Sequence, residues 1–472
     1  MAEVLVVGGG VVGMGLAMML AHDGHAVTAL ERDDQPAPED SEQAWETWER
    51  KGVNQFRLPH LFLSRYRQII ETELPEVAAA LEGDGALRFN PLTDAPEAIT
   101  SGPRDGDERY EMLSGRRAVV ERSVASVAER TPGLSLRRGV AVTGLTTGPE
   151  AISGIPHVTG VRTTDGEELR ADLVIDCSGR RSGLPSWLEA VGARRPEEEL
   201  EDSGFIYLGR HFHSRDGKMP VALGGALQPY GSISVLTLPA DNGTWSVTLI
   251  ARSGDRALLG LKDLDRWERV VASLPTAAHW LQGDPLEDRI VTMSKIEDRH
   301  RDLCPGGVPV ATGVLAVADA WACTNPSVGR GASIGMIHAQ ALRDTLAQFG
   351  PDRPGELSGA FAAATAATVE PWYQATLSFD RHRLAEMSAM AEGVTYDPGD
   401  PAYEMTKALM AAAMKDSDAF RALMDIIGVI ELPETIMARP GLFEKVIEHG
   451  ADWRSDPVPG PNRDELVAMA IA

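Results

Sequence analysis

The residues with the clearest chemical meaning are three glycines near the start of the chain. Gly8, Gly10 and Gly13 form a G-x-G-x-x-G pattern between a short apolar run and a helical pattern. Such a turn lets the backbone approach a pyrophosphate, and the N-terminus of the following helix attracts negative charge. A second apolar run ends at Glu31, whose carboxylate is placed to accept hydrogen bonds from ribose hydroxyls. The unit predicts a dinucleotide site without distinguishing FAD from NAD. Its predicted contacts are Gly8, Gly10, Val12, Gly13, Glu31 and Arg32.

A second glycine-bearing loop lies far down the chain. Residues 308–317 are predicted to form a buried strand that leads into Asp319, and a helical pattern begins at Ala332. A carboxylate followed by a helix N-terminus is suited to hold another part of a bound ligand, because both groups interact with polar or charged atoms. The loop residues singled out are Pro326, Gly329, Gly331 and Ala332.

The segment VLAVADAWACTNPSVGRGASIGMIHAQAL, residues 314–342, resembles the second FAD signature of glutathione-reductase-type flavoproteins. It is most similar to the monooxygenases, epoxidases and halogenases of that fold. The resemblance implies an FAD cofactor, with Asp319 near the ribitol and pyrophosphate and with Pro326, Gly329 and Gly331 beside the isoalloxazine ring. Backbone N–H groups and a helix dipole at that edge would stabilise the negative charge of reduced flavin.

Two further segments match this family in part. Residues 171–180 contain a predicted strand followed by Cys-Ser-Gly, including Gly179, where aromatic hydroxylases carry an Asp-Gly pair associated with FAD and NAD(P)H contacts. The electron source is therefore left open between NAD(P)H and a separate flavin reductase. Arg117, rather than its neighbour Arg116, is assigned to the family's FAD-contacting arginine at a helix start. Cys177 is interpreted as a small buried strand residue without a redox role.

Residues from about 200 to 300 have a different pattern, in which strand-like runs are joined by a turn at 239–243. In the resembling family such a sheet forms the substrate domain and covers the flavin ring. His211 and His213 share one face of a strand, but no third ligand accompanies them, so no metal site is predicted. The residues assigned to the substrate pocket are Arg57, His60, Tyr207, Arg210 and His211, the first two from a stretch similar to the Gln-Gly-Arg-His-x-His segment of the epoxidase-like branch.

The predicted fold is α/β, with a Rossmann-like FAD-binding domain, an inserted antiparallel-sheet substrate domain and a helical C-terminal region. Residues 1–195 and 290–350 are assigned to the FAD-binding domain. Residues 196–289 are assigned to the substrate domain, to which 60–110 are a further contribution, and 351–472 to the helical region.

Composition argues against several other classes of protein. Hydrophobic residues make up 43% and charged residues 24%, as in ordinary globular chains. The formal net charge of −24 repels phosphate backbones, so no nucleic-acid partner is expected. The sequence contains no uncharged apolar run long enough to predict a membrane span. Three cysteines cannot build a disulfide framework and the N-terminus lacks a basic leader, which predicts a cytoplasmic protein.

The resemblance implies an FAD-dependent oxidoreductase, and a monooxygenase is the leading expectation. Such an enzyme inserts one oxygen atom from O₂, by hydroxylation or epoxidation through a flavin C4a-hydroperoxide, into a small and largely apolar substrate. No side-chain catalyst is assigned, because the cofactor carries the chemistry. The alternatives are a halogenase, which would need a catalytic lysine, a double-bond reductase of the geranylgeranyl-reductase type, and a non-catalytic prenyl-binding relative. The Trp-x-Trp-x-Ile-Pro motif of tryptophan halogenases is absent from the sequence.

Overall fold

A computed structural model describes residues 1–53, 55–455 and 460–471. Among these residues, none of the helices combines the length and the apolar character that crossing a bilayer requires. The strands are β1 (Glu3–Val7), β2 (Ala26–Glu31), β3 (Pro59–Phe62), β4 (Leu87–Phe89), β5 (Met112–Arg116), β6 (Leu134–Arg138), β7 (Val142–Ile152), β8 (Ile155–Thr163), β9 (Glu168–Arg170), β10 (Leu173–Asp176), β11 (Glu197–Asp202), β12 (Phe205–His213), β13 (Leu227–Tyr230), β14 (Ile233–Pro239), β15 (Thr244–Arg252), β16 (Asp284–Pro285), β17 (Val291–Met293), β18 (Glu297–Asp302), β19 (Val314–Ala316) and β20 (Ala322–Cys323).

Helices follow most of the strands in the first half and dominate the last quarter of the chain. They are α1 (Val11–His22), α2 (Ser41–Glu46), α3 (Ser64–Glu73), α4 (Pro75–Gly83), α5 (Pro91–Asp94), α6 (Glu97–Thr100), α7 (Arg117–Ala128), α8 (Leu184–Ala190), α9 (Leu264–Ser273), α10 (Gly331–Phe349), α11 (Pro354–Thr368), α12 (Glu370–Glu392), α13 (Pro401–Ala413), α14 (Ser417–Ile427), α15 (Pro433–Met437), α16 (Leu442–Gly450) and α17 (Arg463–Ile471).

The central sheet is parallel and has the strand order β19-β10-β1-β2-β6. Its strands are nearly continuous runs of aliphatic residues because both faces are covered. Helices α1, α7 and α10 pack on one face, while α8 and the antiparallel sheet β7-β8-β9 pack on the other. The carboxyl ends of β1, β10 and β19 therefore meet at one edge. This arrangement confirms the predicted Rossmann-like core.

The strand predicted for residues 308–317 is wrong in its length, since β19 contains only Val314–Ala316. Gly313 has a φ of +74°, and a side chain there would collide with the carbonyl group of Val158. The backbone thus turns just before the strand. Val308, at the start of the predicted strand, is 53% exposed, so its apolar character did not signal burial. The acid and glycine-bearing loop still follow the strand in the predicted order.

A second, antiparallel sheet has the order β13-β14-β15-β12-β16, and β17 also pairs with β12. Its outer face is covered by α9, whose Trp267 donates its indole N–H to the Leu208 carbonyl over 2.8 Å. Alternation along β12 leaves Tyr207, Gly209 and His211 on the inner face. This sheet corresponds to the one assigned to the substrate domain. Its inner face, which carries Tyr207, Gly209 and His211, is the surface opposite α9.

The C-terminal helices do not form one separate region. Leu466 and Ala470 of α17 are buried in the core on the outer face of the substrate sheet, although they lie in the stretch assigned to the helical region. Helix α12 instead connects both halves: Trp372 near its start packs near the loop before α10, and Met387 near its end packs against Tyr207. The division into FAD-binding, substrate and helical domains remains our proposal, with α17 added to the substrate domain.

The small sheet β3-β5-β4 lies between the two larger sheets. Arg116, the last residue of β5, forms an ion pair of 2.6 Å with Asp241 in the turn between β14 and β15, and both side chains are fully buried. Asn242 of the same turn donates its backbone N–H to the Gly85 carbonyl. These contacts place part of residues 60–110 against the substrate sheet.

We expect Arg116→Ala to lower the free energy of unfolding by about 3–5 kcal/mol, because it leaves the carboxylate of Asp241 buried without its partner. The measurement is urea unfolding followed by tryptophan fluorescence. Arg162→Ala is the control, since its pair with Glu168 is about half exposed (54% and 51%) and should be worth less than about 1 kcal/mol. Equal losses in the two variants would show that the buried pair does not join the sheets.

Candidate functional site

The turn after β1 is built by three glycines, each for a different steric reason. Gly8 has a φ of +111°, and its backbone lies against the carbonyl group of Cys177 at the end of β10. A side chain at Gly13 would collide with the Gly8 carbonyl, so this glycine lets α1 pack closely on the strand. Around Gly10, by contrast, the space that a Cβ atom would take has no described atom within 4 Å. That open position is where a ligand can approach the backbone.

Helix α1 begins directly after this open position. Its N-cap residue is Gly10, and no side chain caps the first turn. The N–H groups of that turn and the positive end of the helix dipole are therefore directed at the same space. Val12 lies half-buried in this turn. The arrangement fits a pyrophosphate, as the glycine pattern predicts.

Glu31 has more partners than the sequence indicated. The N–H groups of Gly9 and Asp33 donate to its two oxygens, each over 2.9 Å, and its side chain also pairs with Arg50. A carboxylate with two lone-pair sites per oxygen can still accept from a ribose hydroxyl, so the predicted role remains a proposal. Arg32, the next residue, is exposed, and its guanidinium lies over Gly52.

Arg50 is a functional candidate that sequence reasoning missed. It is only 4% exposed, pairs with Glu31 and Glu121, and donates to the Gly9 carbonyl over 2.9 Å. Although burial lowers its pKa, the carboxylates of Glu121 and Glu31 raise it above the ordinary value, so the guanidinium stays charged. Arg50 lies in a charged, loop-like stretch without a motif. Only the fold brings it beneath the glycine turn.

The two neighbouring arginines at the start of α7 have separate roles. Arg116 is occupied by Asp241, as described above, whereas Arg117 pairs with Glu121 over 2.6 Å and lies 2.7 Å from Nε2 of His60. Since Arg50 shares Glu121, an imidazole, two guanidinium groups and two carboxylates form one chain: His60, Arg117, Glu121, Arg50 and Glu31. This chain of groups supports the preference for Arg117 as the FAD contact.

The second signature folds into a strained turn. Ala318 has a φ of +55°, which is unusual for a residue with a side chain, and its N–H lies 3.2 Å from Nδ1 of His338. The turn projects Asp319, which is half-buried. Burial raises the pKa of Asp319, while Arg117 and Arg180 oppose that rise, so both cations lie near this carboxylate. Strain next to a carboxylate is common at binding sites.

The loop before α10 and the start of that helix face the same space. Gly329 has a φ of +67°, and around Gly331 the position of a Cβ atom has no described atom within 4 Å. No side chain caps the first turn of α10, whose N–H groups are thus available to a ligand. Pro326 is exposed, and Ala332 is half-buried.

The middle segment completes this edge of the sheet. Gly179 has a φ of +83° and, like Gly10 and Gly331, open space where a side chain would lie. Burial raises the pKa of the Cys177 thiol, which agrees with a residue that packs and does not react. Arg301 donates to the carbonyl groups of Ala320 and Arg180 and so ties the loops after β19 and β10 together. No sequence motif marks this arginine.

On the substrate side, the structure separates the five predicted residues. Tyr207 donates its hydroxyl to Oδ1 of Asn325 in the flavin-signature loop, over 2.7 Å. His211 lies on the same strand face and binds Glu287 through Nδ1 over 2.8 Å. Arg57 donates to the Trp48 carbonyl and lies over the ring of Trp45, which also packs against His211.

The expectation that Arg210 faces the pocket is wrong. It lies on the outer face of β12, where it donates to the Glu287 carbonyl over 2.8 Å and pairs with Glu268 of α9. Side chains alternate along a strand, so residue 210 cannot share a face with 207 and 211. His60, in contrast, lies on β3 beside Arg117 and so close to the proposed FAD contacts.

These observations together test whether the residues present fit FAD. Three open glycine positions, two uncapped helix N-termini and a half-buried carboxylate lie along one edge of the sheet, as a dinucleotide with a ribitol chain requires. The proposed FAD contacts are Gly8, Gly10, Val12, Gly13, Glu31, Arg32, Arg117, Gly179, Asp319, Pro326, Gly329, Gly331 and Ala332, to which we add Arg50.

Comparison with known proteins gives two family matches in this part of the chain. Residues 3–50 match the model of FAD-dependent oxidoreductases, and residues 117–193 match the tryptophan halogenase model. The first covers the glycine turn and Arg50, and the second covers Arg117 and Gly179.

Similar proteins cover most of the chain at low identity. Protein Rv3254 of Mycobacterium tuberculosis is 26% identical over 397 residues, which are 78% of this chain and 77% of that protein. A PqsL variant from Pseudomonas aeruginosa has a TM-score of 0.59 at 15% identity, covering 82% of this chain and 96% of PqsL, which is described as a probable FAD-dependent monooxygenase. The flavin-dependent brominase Bmp2 also has a TM-score of 0.59, at 14% identity, covering 95% and 98%. The fold is thus that of FAD-dependent monooxygenases and halogenases, and FAD is the cofactor.

We expect Gly10→Val to abolish FAD binding while the protein stays folded, because the side chain enters space that only a ligand would use. The measurement is the FAD content after purification, together with far-UV circular dichroism. Gly144→Val in β7 is the matched control, since a Cβ atom there also meets no described atom within 4 Å but lies away from the site. Full flavin content in the Gly10 variant would contradict the assignment.

We expect Arg50→Met to weaken FAD binding and also to lower the free energy of unfolding by about 3–5 kcal/mol, because Glu31 and Glu121 lose a buried cation. Glu31→Gln keeps the shape of the side chain and removes one of the two charges, so it should cost less stability. The measurements are FAD titration by fluorescence and urea unfolding of the FAD-free protein. An Arg50 variant with wild-type FAD affinity would show that the network serves stability alone.

Proposed function

We propose that this FAD-dependent oxidoreductase is a monooxygenase that inserts one oxygen atom from O₂ into a small organic substrate with an apolar body and one polar group. The observation that carries the proposal is the inner face of the substrate sheet. That face bears polar atoms that are buried without partners, and it contacts the same loop that bears the second FAD signature.

The polar part of the proposed pocket follows the register of β12 and β15. Ser246 lies opposite His211, and Thr248 lies opposite Gly209. The Ser246 and Thr248 hydroxyls and Nε2 of His211 are buried and have no hydrogen-bond partner among the described residues, and the same is true of Nη1 of Arg57. Buried polar atoms are nearly always hydrogen-bonded in native proteins, so this set favours a missing ligand or water.

The apolar part lies beside Tyr207, between the sheet and α12. Leu227, Leu236, Met293 and Leu384 are half-buried there and pack around a buried cluster that includes Tyr207 and Met387. Methionine and leucine side chains adapt to substrates of irregular shape. An apolar molecule held here would have one end near the Asn325 loop.

The cofactor, when bound, supplies the activated oxygen, and the side chains bind, orient and exclude water. Nδ1 of His211 donates to Glu287, so in the neutral form of the ring Nε2 is a hydrogen-bond acceptor. His211 would therefore hold a hydroxyl or N–H group of the substrate. Arg57 would hold a carbonyl or anionic oxygen, since a guanidinium can only donate. Tyr207 positions the loop through Asn325.

A halogenase is the second candidate, because residues 117–193 match the tryptophan halogenase model. Halogenases of this fold deliver hypohalous acid through a catalytic lysine, as noted above. All seven lysines lie among the described residues, and none of them is buried; five are exposed. The inner face of the substrate sheet thus lacks the residue that halogenation needs, which favours oxygen transfer to the substrate.

The remaining parts of the proposal concern the surroundings of the enzyme. Electrons come from NAD(P)H or from a separate flavin reductase, since Cys-Ser-Gly replaces the Asp-Gly pair of the aromatic hydroxylases. The three cysteines are free thiols, which agrees with a reducing, cytoplasmic compartment.

The test is oxygen incorporation by the FAD-loaded protein under ¹⁸O₂, with NADH, NADPH or a flavin reductase as the reductant. A panel of aromatic and isoprenoid compounds that carry a hydroxyl or carboxyl group serves as the substrate, with and without bromide. Products heavier by one ¹⁸O atom would support a monooxygenase. Brominated products would replace the proposal with halogenation, and reduced double bonds without oxygen would replace it with a reductase.

We expect Asp319→Asn to weaken FAD binding by about 1.5–3 kcal/mol and to uncouple the reaction, because a charge-assisted hydrogen bond to the ribitol is lost and the ring is held less firmly. The measurements are FAD titration and the yield of hydrogen peroxide per electron pair. Asp344→Asn on the exposed side of α10 is the control. Normal affinity and coupling in Asp319→Asn would remove the second signature from the site.

A further inference from the structure

The loop that bears the second FAD signature is fixed from behind by α12. Ser327 donates its hydroxyl to Oδ1 of Asp380, and Arg330 donates to the Thr376 hydroxyl over 3.2 Å and lies over the ring of Trp372. Asp380, Thr376 and Trp372 all belong to α12. Helix α12 thus contacts this loop at two points, residue 327 and residue 330.

Asp380 is the unusual member of this set. It is 3% exposed, and its Oδ2 atom has no hydrogen-bond partner among the described residues. The charge of the buried Arg330 acts on Asp380, but these two described residues do not form an ion pair. A buried carboxylate without a cation is costly, so the neutral acid is favoured.

The groups that face Asp380 come from four elements. Asn325 and Ser327 belong to the loop, Arg330 precedes α10, Asp298 belongs to β18 and Tyr207 to β12. Asp298 is a second buried acid, whose Oδ1 accepts the N–H of Asn325 over 2.6 Å. The carboxyl groups of Asp380 and Asp298 and the buried guanidinium of Arg330 therefore lie together behind the loop.

We propose that Asp380 is a positioning residue that holds the FAD-contacting loop through Ser327, and that cofactor binding favours its neutral form, because the ionised carboxylate would place a buried negative charge behind the loop that contacts an anionic cofactor. The inference rests on the proposed contacts of Pro326, Gly329 and Gly331 with FAD. Burial raises the pKa of Asp380 to about 7, although Ser327 opposes that rise, so the proton is lost within the range where enzymes work. FAD carries a negatively charged pyrophosphate, so its binding disfavours a second negative charge nearby.

The sign of the pH dependence follows from linkage. FAD binding should raise the pKa of Asp380 further, so that binding takes up protons and weakens as the pH rises through about 7. Each unit by which the pKa of Asp380 differs between the free and the FAD-bound protein corresponds to a tenfold change in Kd. The fold itself also binds this proton more tightly than an unfolded aspartate does. Stability should therefore fall as the pH rises from about 4 to about 7.

The experiment measures Kd for FAD by fluorescence titration, and thermal unfolding of the FAD-free protein, from pH 5.5 to pH 9. We expect the wild-type Kd to rise about tenfold across pH 7. Asp380→Asn, which imitates the neutral acid, should keep the low-pH Kd at every pH and flatten the stability profile. Glu392→Gln is the matched control, since it removes an exposed carboxylate from the same helix.

Two further variants separate the possible explanations. Ser327→Ala removes a donor that favours the ionised form, so it should move the transition to higher pH. Asp298→Asn should leave the transition in place if Asp380 is the group that ionises. The proposal is overturned by a wild-type Kd that does not change with pH, by a transition that persists in Asp380→Asn, or by one that disappears only in Asp298→Asn. A protein that does not bind FAD at any pH would refute the cofactor contacts, while its stability profile would still report on Asp380.

Discussion

The close crossing of α1 and α10 is the packing contact on which the cofactor site depends. A side chain at Gly335 of α10 would lie 2.7 Å from a methyl group of Val12, and one at Gly15 of α1 would lie 2.9 Å from the sulfur of Met336. Two glycines thus let two helices meet near their N-termini. Because neither first turn is capped by a side chain, two positive helix ends reach the edge where β1, β10 and β19 stop. Separated helices would hold only one half of FAD each.

The helix N-termini and the glycines alone would not balance the negative charges of the carboxylates buried at this edge. Glu31 and Glu121 are both buried, and Arg50 lies between them while it also donates to the Gly9 carbonyl. The same cation therefore compensates the carboxylates and fixes the turn that we propose receives the pyrophosphate. Through Glu121 the network reaches Arg117 and then His60, so one chain of polar contacts joins the proposed adenosine side to the proposed flavin side of the site.

Sequence reasoning predicted the parts of the candidate site that depend on local backbone geometry. The glycine turn, Glu31, Asp319 and the loop around Gly329 could be predicted because strand, turn and helix follow one another within about thirty residues. Arg50, Arg301 and Asp380 could not, since their partners lie 17 to 121 residues away and no spacing rule connects them. Arg210 was misplaced because the strand was recognised but its register was not, and one residue decides the face. The length of β19 was overestimated because the backbone bends at residues 310–313, where Thr312 pairs with His157 of β8 and not with the central sheet.

Helix α12 explains why the C-terminal quarter matters to a site built by the first three quarters. Its first turns contact the loop before α10, and its last turns contact Tyr207. Arg383 of the same helix donates to the carbonyl groups of Gly231 and Ile233. The helix therefore acts together with the Tyr207–Asn325 hydrogen bond to set the distance between the flavin-signature loop and the substrate sheet. Oxygen transfer requires those two surfaces to hold their ligands at a fixed separation. The same helix contacts both surfaces and carries the buried acid Asp380 beneath the loop, so one element of the C-terminal quarter supports both ligand-binding surfaces.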